Sequence, residues 1–253
     1  MHMAGGNPQA GHYDDILDEY DRHYYDQYSL QYREQFILGP LLEGVDLRGK
    51  RVADLASGSG ETSRFLSRRF PGVECEGFDV SPEACRRYRE RTHQPAREFD
   101  LTRGVYDGEP FDAAIIMGGL HHCAADLQGA LSAVAQMLRP GGVFLLFEPN
   151  RDYMLESARR LWYRADRYFD ADSEMALSHT DLLTAGGEAF ECRRVQYFGG
   201  PAFFLVYNSL VFRMSGRTKA AIAPALMRAE GVYNRLTPRW LFASFLAQWI
   251  RRA

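Results

Sequence analysis

Val52-Ala53-Asp54-Leu55-Ala56-Ser57-Gly58-Ser59-Gly60-Glu61-Thr62 is the stretch on which the reading of this chain turns. An apolar strand ends in an acid, turns through small residues and enters a helix. Gly58 and Gly60 let a backbone approach a ligand with no Cβ in the way. The N-terminus of the following helix adds the positive end of a dipole. A second acid, Asp79 in Gly77-Phe78-Asp79-Val80-Ser81, lies nineteen residues after Gly60 at the tip of the next apolar run. An acid there can accept hydrogen bonds from both hydroxyls of a ribose.

Outward from this motif the chain alternates between strand and helix. Strands are expected at Arg51–Leu55, Val73–Val80, Arg97–Leu101, Phe111–Met117 and Val143–Phe147. Between them, helices are expected at Glu61–Arg69, Pro82–Arg91 and Leu127–Leu138. Such alternation argues for a parallel sheet with helices on both faces. Residues 150–187 break the rhythm with helical, aromatic and charged sequence placed to cap a site, and hold a short helix at Asp181–Ala185. Ala189–Phe198 and Ala202–Phe212, joined by Gly199-Gly200-Pro201, read as an antiparallel pair closing the sheet.

A dinucleotide-binding turn follows GxGxxG, and here its third small position would be Glu61 or Ser63. Asp54 just before the turn also argues against a nearby pyrophosphate and suits a ligand with a cationic amino group. Asp54-Leu55-Ala56-Ser57-Gly58-Ser59-Gly60 resembles the first motif of class I S-adenosylmethionine (SAM)-dependent methyltransferases, and Asp79 resembles their ribose-binding acid. Phe99-Asp100-Leu101, Phe111–Met117 with Gly118-Gly119-Leu120-His121-His122, and Leu138-Arg139-Pro140-Gly141-Gly142-Val143 match further motifs in order. Together they cover about residues 50–150, which is far more specific than one Gly-rich loop. Ala56 departs from the family, which usually has glycine there.

The resemblance implies an α/β, Rossmann-like, seven-stranded, mostly parallel sheet with an antiparallel terminal hairpin. It implies SAM as cofactor and S-adenosylhomocysteine as product. Asp54 would hold the methionine amino group. Ala56, Ser57, Gly58 and Gly60 would form the turn under the cofactor. Asp79 and Val80 would meet the ribose, Asp100 and Leu101 the adenine, and Met117 and Gly118 the methionine portion. Arg33, with Tyr24 or Tyr28, would reach the cofactor carboxylate.

His121 and His122 follow the fourth strand, beside the expected methyl group. A histidine near neutrality is a good general base. His121 is the candidate base and His122 the more structural of the two; purely backbone roles for both stay open. His179 is a weaker candidate from the cap. No His/Asp/Glu cluster points to a metal.

Residues 1–12 are expected to be disordered. Residues 13–45 read as a helical lid with Tyr20, Tyr24, Tyr28 and Tyr32 on one face. Two readings stay open for that stripe: packing on the body, or phenols reaching a ligand. The methyltransferase domain is assigned to 46–212. The tail, 213–253, reads as a basic amphipathic helix packed on it, with eight Lys/Arg against one acid, Glu230. Contact of that tail with a membrane surface is a second reading.

The 253 residues carry a net charge of -3, so no general pull toward nucleic acid exists. Four cysteines form no CxxC pair, which fits a reducing cytoplasm. The start lacks the basic and apolar regions of a signal peptide. The expected function is methyl transfer to O or N of a small-molecule acceptor, of secondary-metabolite type. A lipid-linked acceptor and a non-catalytic SAM-binding partner protein are the alternatives. Oligomeric state is not readable.

Overall fold

Val52, Ala53, Asp54 and Leu55 are all buried, as a central parallel strand covered on both faces requires. This strand, β1 (Arg51–Leu55), pairs in parallel with β2 (Glu74–Asp79) and β4 (Phe111–Met117). The computed structural model describes residues 24, 26–157, 176–209 and 214–253. Among these, seven strands form one sheet in the order β3-β2-β1-β4-β5-β7-β6. β3 is Ala96–Glu98, β5 Leu138–Pro149, β6 Phe190–Phe198 and β7 Ser244–Arg251. Only β7 is antiparallel, inserted between β5 and β6.

One face of the sheet is covered by α1 (Gln27–Tyr32), α2 (Glu61–Arg69) and α6 (Gly216–Leu236), which share a core with Leu145, Phe147 and Leu246. The other carries α4 (Leu127–Met137) and α5 (His179–Gly186) over Phe144, Leu146 and Trp249. Helix α3 (Pro82–Thr92) follows β2. It starts where its rules say it should: Ser81 Oγ accepts the Ala84 amide at 3.0 Å and Pro82 fills the first turn.

Two expectations change. Ala202–Phe212, read as a strand, is helical over its described part, with a π-helical stretch at Phe203–Tyr207. The tail is not one appended helix: it supplies α6 and then β7, so the sheet is incomplete at residue 212. The reason is burial on both faces. Ser244–Ile250 is an almost continuous buried run with no period-two alternation. Its Phe245, Leu246, Trp249 and Ile250 spacing therefore mimics a helix. The antiparallel terminal pair is present, but β6 and β7 are joined by the long 199–243 excursion rather than by a hairpin turn. The third strand is also displaced, ending at Glu98 instead of Leu101.

The N-terminal helix is fastened to that excursion. Tyr32 is fully buried, donates to Glu230 Oε1 at 2.6 Å and stacks on Tyr207. The other partners of Glu230 are the amides of Gly200 and Ala202, at 2.8 and 2.9 Å. Lys219, also buried, pairs with Asp26 and donates to Ser29 Oγ at 2.6 Å and Ser209 Oγ at 3.0 Å. After Tyr32 the helix widens into a π-helical stretch, Arg33–Leu38. The tyrosine stripe is thus core at Tyr24 and Tyr32. Tyr13, Tyr20, Tyr25, residues 1–12 and the cap segment 158–175 lie outside the described residues.

Candidate active site

Parallel strands leave their C-terminal tips free, and ligands bind beyond those tips where the strand order reverses. The reversal here lies between β1 and β4. Asp54, at the tip of β1, is buried, and burial raises its carboxyl to about 7 despite the hydrogen bond from Ser63 and the nearby charge of Arg33. Ser63 Oγ donates to Asp54 Oδ2 at 2.7 Å and itself accepts from Tyr88 at 2.6 Å. A desolvated carboxylate of this kind favours a cation close by.

The turn after β1 brings the two acids together. Asp79 Oδ2 accepts the Gly58 amide at 2.9 Å, and Oδ1 accepts the Ser81 amide at 3.0 Å. The two glycines then differ. A Cβ on Gly58 would meet nothing within 4 Å, so this glycine faces open space. A Cβ on Gly60 would lie 2.6 Å from Thr92 and 2.9 Å from Tyr88, so the close packing on α3 requires glycine there. Ala56 holds φ +48, the left-handed region where the family's glycine is at ease. Ser57 is buried beneath the turn.

Arg33 is brought to this loop. It is buried and donates to Thr62 Oγ1 at 2.6 Å. Tyr207 lies beside it, its hydroxyl raised above the usual phenol value by burial, against the opposing charge of Arg33. Tyr24 is directed elsewhere, donating to Asn208 at 3.0 Å, and Tyr28 packs half-buried on the same core. On the far side, Val80 is half-buried, Leu101 joins the core, and Asp100 Oδ1 caps its own turn by accepting from Thr102.

At the end of β4, Met117 and the following Gly118 are half-buried, with Gly118 at φ +75. His121 sits beside Gly118, and its Nδ1 is 2.8 Å from Glu148 Oε2. Glu148 is fully buried at the end of β5, and its Oε1 accepts the amides of Gly119 and Leu120 at 3.0 and 2.7 Å. The carboxylate selects the tautomer with the proton on Nδ1 and leaves Nε2 as an acceptor. His122 packs against His121, the rings tilted by 41° with centroids 4.0 Å apart. Glu148 was missed in the sequence, although Leu145-Leu146-Phe147-Glu148 repeats the signal of Asp54: an acid ending a buried strand.

His179 does not belong to the site. Its Nε2 accepts the Trp249 indole N–H at 3.2 Å on the opposite face. Nor do the cysteines offer nucleophiles, since burial pushes the thiols of Cys75 and Cys123 up to about 12.

Comparison with known proteins agrees with this geometry. Residues 53–144 match a family model described as a methyltransferase domain. A malonyl-acyl-carrier protein O-methyltransferase of Salmonella typhimurium is 30% identical over 193 residues, covering 74% of this chain and 72% of that one. The chain belongs to the SAM-dependent methyltransferase family. A phthiotriol/phenolphthiotriol dimycocerosates methyltransferase of Mycobacterium leprae is 31% identical over 39% of this chain, and the match spans only 37% of that relative's length. The fold also matches a SAM-dependent methyltransferase of Mesorhizobium loti, with TM-score 0.58, 20% identity and coverage of 84% and 96%. The cofactor of this methyltransferase family is SAM, and the residues present fit it. Gly58 leaves a cradle open, Asp54 is a buried carboxyl at the tip of β1, and Asp79 stands at the tip of β2 bonded to the Gly58 amide.

Proposed function

We propose that this methyltransferase transfers a methyl group from SAM to an oxygen or nitrogen of a small-molecule acceptor of secondary-metabolite type, with His121 as general base. The observation that carries this reading is the His121–Glu148 pair beside Gly118. Bound SAM supplies a methyl group on a sulfonium, already electrophilic. Asp54 would pair with its ammonium group and Arg33 with its carboxylate. Asp79 would hold the ribose hydroxyls, with Val80 beside it. Asp100 and Leu101 would border the adenine. Backbone at Ser57, Gly58, Met117 and Gly118 would line the remainder.

The acceptor's hydroxyl or ammonium proton passes to Nε2 of His121. The freed lone pair would then be placed to take the methyl group in line with the carbon–sulfur bond, with S-adenosylhomocysteine as the leaving group. Glu148 keeps the imidazole oriented and stabilises the imidazolium that forms. Alignment and exclusion of water supply much of the rate. The aromatic wall of Phe147, Tyr207 and Tyr32 excludes water on one side.

The test is release of S-adenosylhomocysteine from SAM with pooled phenols, amines and carboxylic acids. Wild-type protein is expected to turn over a subset of the pool, and His121→Asn to lose that turnover while keeping SAM affinity. Equal turnover by wild type and His121→Asn would remove His121 from the chemistry.

A further inference from the structure

Among the described residues, Val105 and Val195 are isolated exposed apolar side chains, but the other five large ones fall in two neighbouring segments. Val232 and Leu236 share one face of the last turns of α6, and Trp240 follows just beyond Pro238. Leu236 is 79% exposed and Trp240 48%. Met154 and Leu155, both exposed, join them from the segment after β5, where the Met154 amide donates to the Trp240 carbonyl at 2.8 Å. Arg235 and Arg239 stand exposed among these residues. Among the described residues, neither makes an ion pair. The nearby acids are accounted for: Glu230 is fully buried on three hydrogen bonds, Asp181 pairs with Arg151, and Glu156 is buried. Among the described residues of the neighbourhood, Asp152 is a second exposed acid beside Asp181, and it accepts from Ser178.

Apolar side chains interleaved with arginines and a half-exposed tryptophan are what the interfacial layer of an anionic bilayer recognises. The patch also has a fixed relation to the active site. It grows from the C-terminal end of β5, the same edge of the sheet as Gly118 and His121. Tyr153 of this segment stacks on Phe204, whose π-helical stretch carries Tyr207 against Phe147, and Phe147 packs beside Gly118.

We propose that this methyltransferase docks on an anionic lipid surface through Val232, Arg235, Leu236, Arg239, Trp240 and Met154, and takes an amphiphilic acceptor from that surface. The docking stands on the patch alone; the acceptor class rests on the methyl-transfer reading above. Among the described residues no helix is long and apolar enough to cross a membrane. The contact is peripheral, and the basic segment 213–253 acts through this one corner. Trp249, fully buried in the sheet, takes no part.

The full chain is floated with vesicles of phosphatidylcholine alone and with vesicles containing about one-third phosphatidylglycerol. Binding is expected only to the anionic vesicles. Arg235→Gln and Arg239→Gln should each weaken partition about fivefold. The double variant Leu236→Ser, Trp240→Ser should weaken it more than roughly tenfold. Light scattering on the same samples reports oligomeric state, and calorimetry reports SAM affinity, which every variant should retain. A SAM-binding wild type that stays with the unbound fraction would overturn the docking. So would variants that float as the wild type does, or a wild-type dimer that the patch variants convert to monomer without any vesicle binding. Absent SAM binding would strike the methyl-transfer reading instead, and is measured separately.

Discussion

Nδ1 of His121 lies 2.8 Å from Oε2 of Glu148, and the other oxygen of that buried carboxylate holds the amides of Gly119 and Leu120. One carboxylate therefore sets both the loop after β4 and the histidine it carries. Glu148→Gln keeps an acceptor for the amides but loses the carboxylate that fixes the Nδ1–H tautomer. Turnover is expected to fall about 10- to 100-fold, with SAM affinity within about twofold of wild type. Nitrogen-15 NMR of the imidazoles gives a check independent of acceptor: wild-type His121 should show Nδ1–H, and the variant a mixture. A wild-type His121 protonated at Nε2 would contradict the assignment.

Asp54 gives the site a pH dependence of definite sign. Burial raises its carboxyl from 3.8 to about 7. A folded-state value above the unfolded one means that the protonated acid fits the fold. This contribution to stability is complete below about pH 4 and is lost as pH rises through 7. Asp54→Asn should therefore raise the melting temperature of the ligand-free protein at pH 8, and by less at pH 5, where only part of the loss has occurred. SAM binding should run the other way, weakening as pH falls below 7 and in the variant by about 2 kcal/mol. Calorimetry in buffers of different ionisation enthalpy should show a proton released on binding near pH 6.5. Binding without proton exchange would remove Asp54 from the ammonium site.

Ala56 carries a backbone cost where the family usually has glycine. Its φ of +48 places a Cβ in the left-handed region, and the methyl lies 2.7 Å from where a Cβ on Gly119 would stand. Ala56→Gly should stabilise the protein by up to about 1 kcal/mol, the relief of strain offset by greater unfolded-state freedom. Gly119→Ala should destabilise it by at least about 2 kcal/mol, because Ile116 also crowds the site. Urea denaturation decides both. A less stable Ala56→Gly protein would mean that the methyl contact outweighs the strain.

His179 supplies an acid-sensitive point away from the chemistry. Burial lowers its pKa from 6.5, and its Nε2 must stay unprotonated to accept from Trp249. Its contribution is present above pH 6.5 and lost as pH falls below it. Stability should drop between pH 7.5 and 5.5, and drop less in His179→Gln. An equal drop in both would assign the acid sensitivity to other groups.

The sequence was most readable where one pattern had one meaning. Arg51–Leu55, Phe111–Met117 and Glu61–Arg69 have the bounds expected of them. The acids at strand tips pointed to the site because an acid ending an apolar run has few structural uses. Ser244–Arg251 misled because both of its faces are buried, which erases the alternation that marks a strand. Phe203–Tyr207 misled in the opposite sense, since its aromatic and β-branched residues favour a strand while Glu230 fixes the amides before it in a helical turn. The burial of Tyr32 and Lys219 depends on partners about 190 residues away in the chain, which no local pattern reveals.

The most direct test is calorimetric titration of SAM into wild-type protein and Asp79→Asn, a variant that keeps one acceptor for the loop amides. The site should bind SAM, and the variant should bind it more weakly by about 1.5–3 kcal/mol while remaining folded. A folded wild type that does not bind SAM, or a variant that binds it equally well, would contradict the placement of the cofactor between Asp54, Gly58 and Asp79.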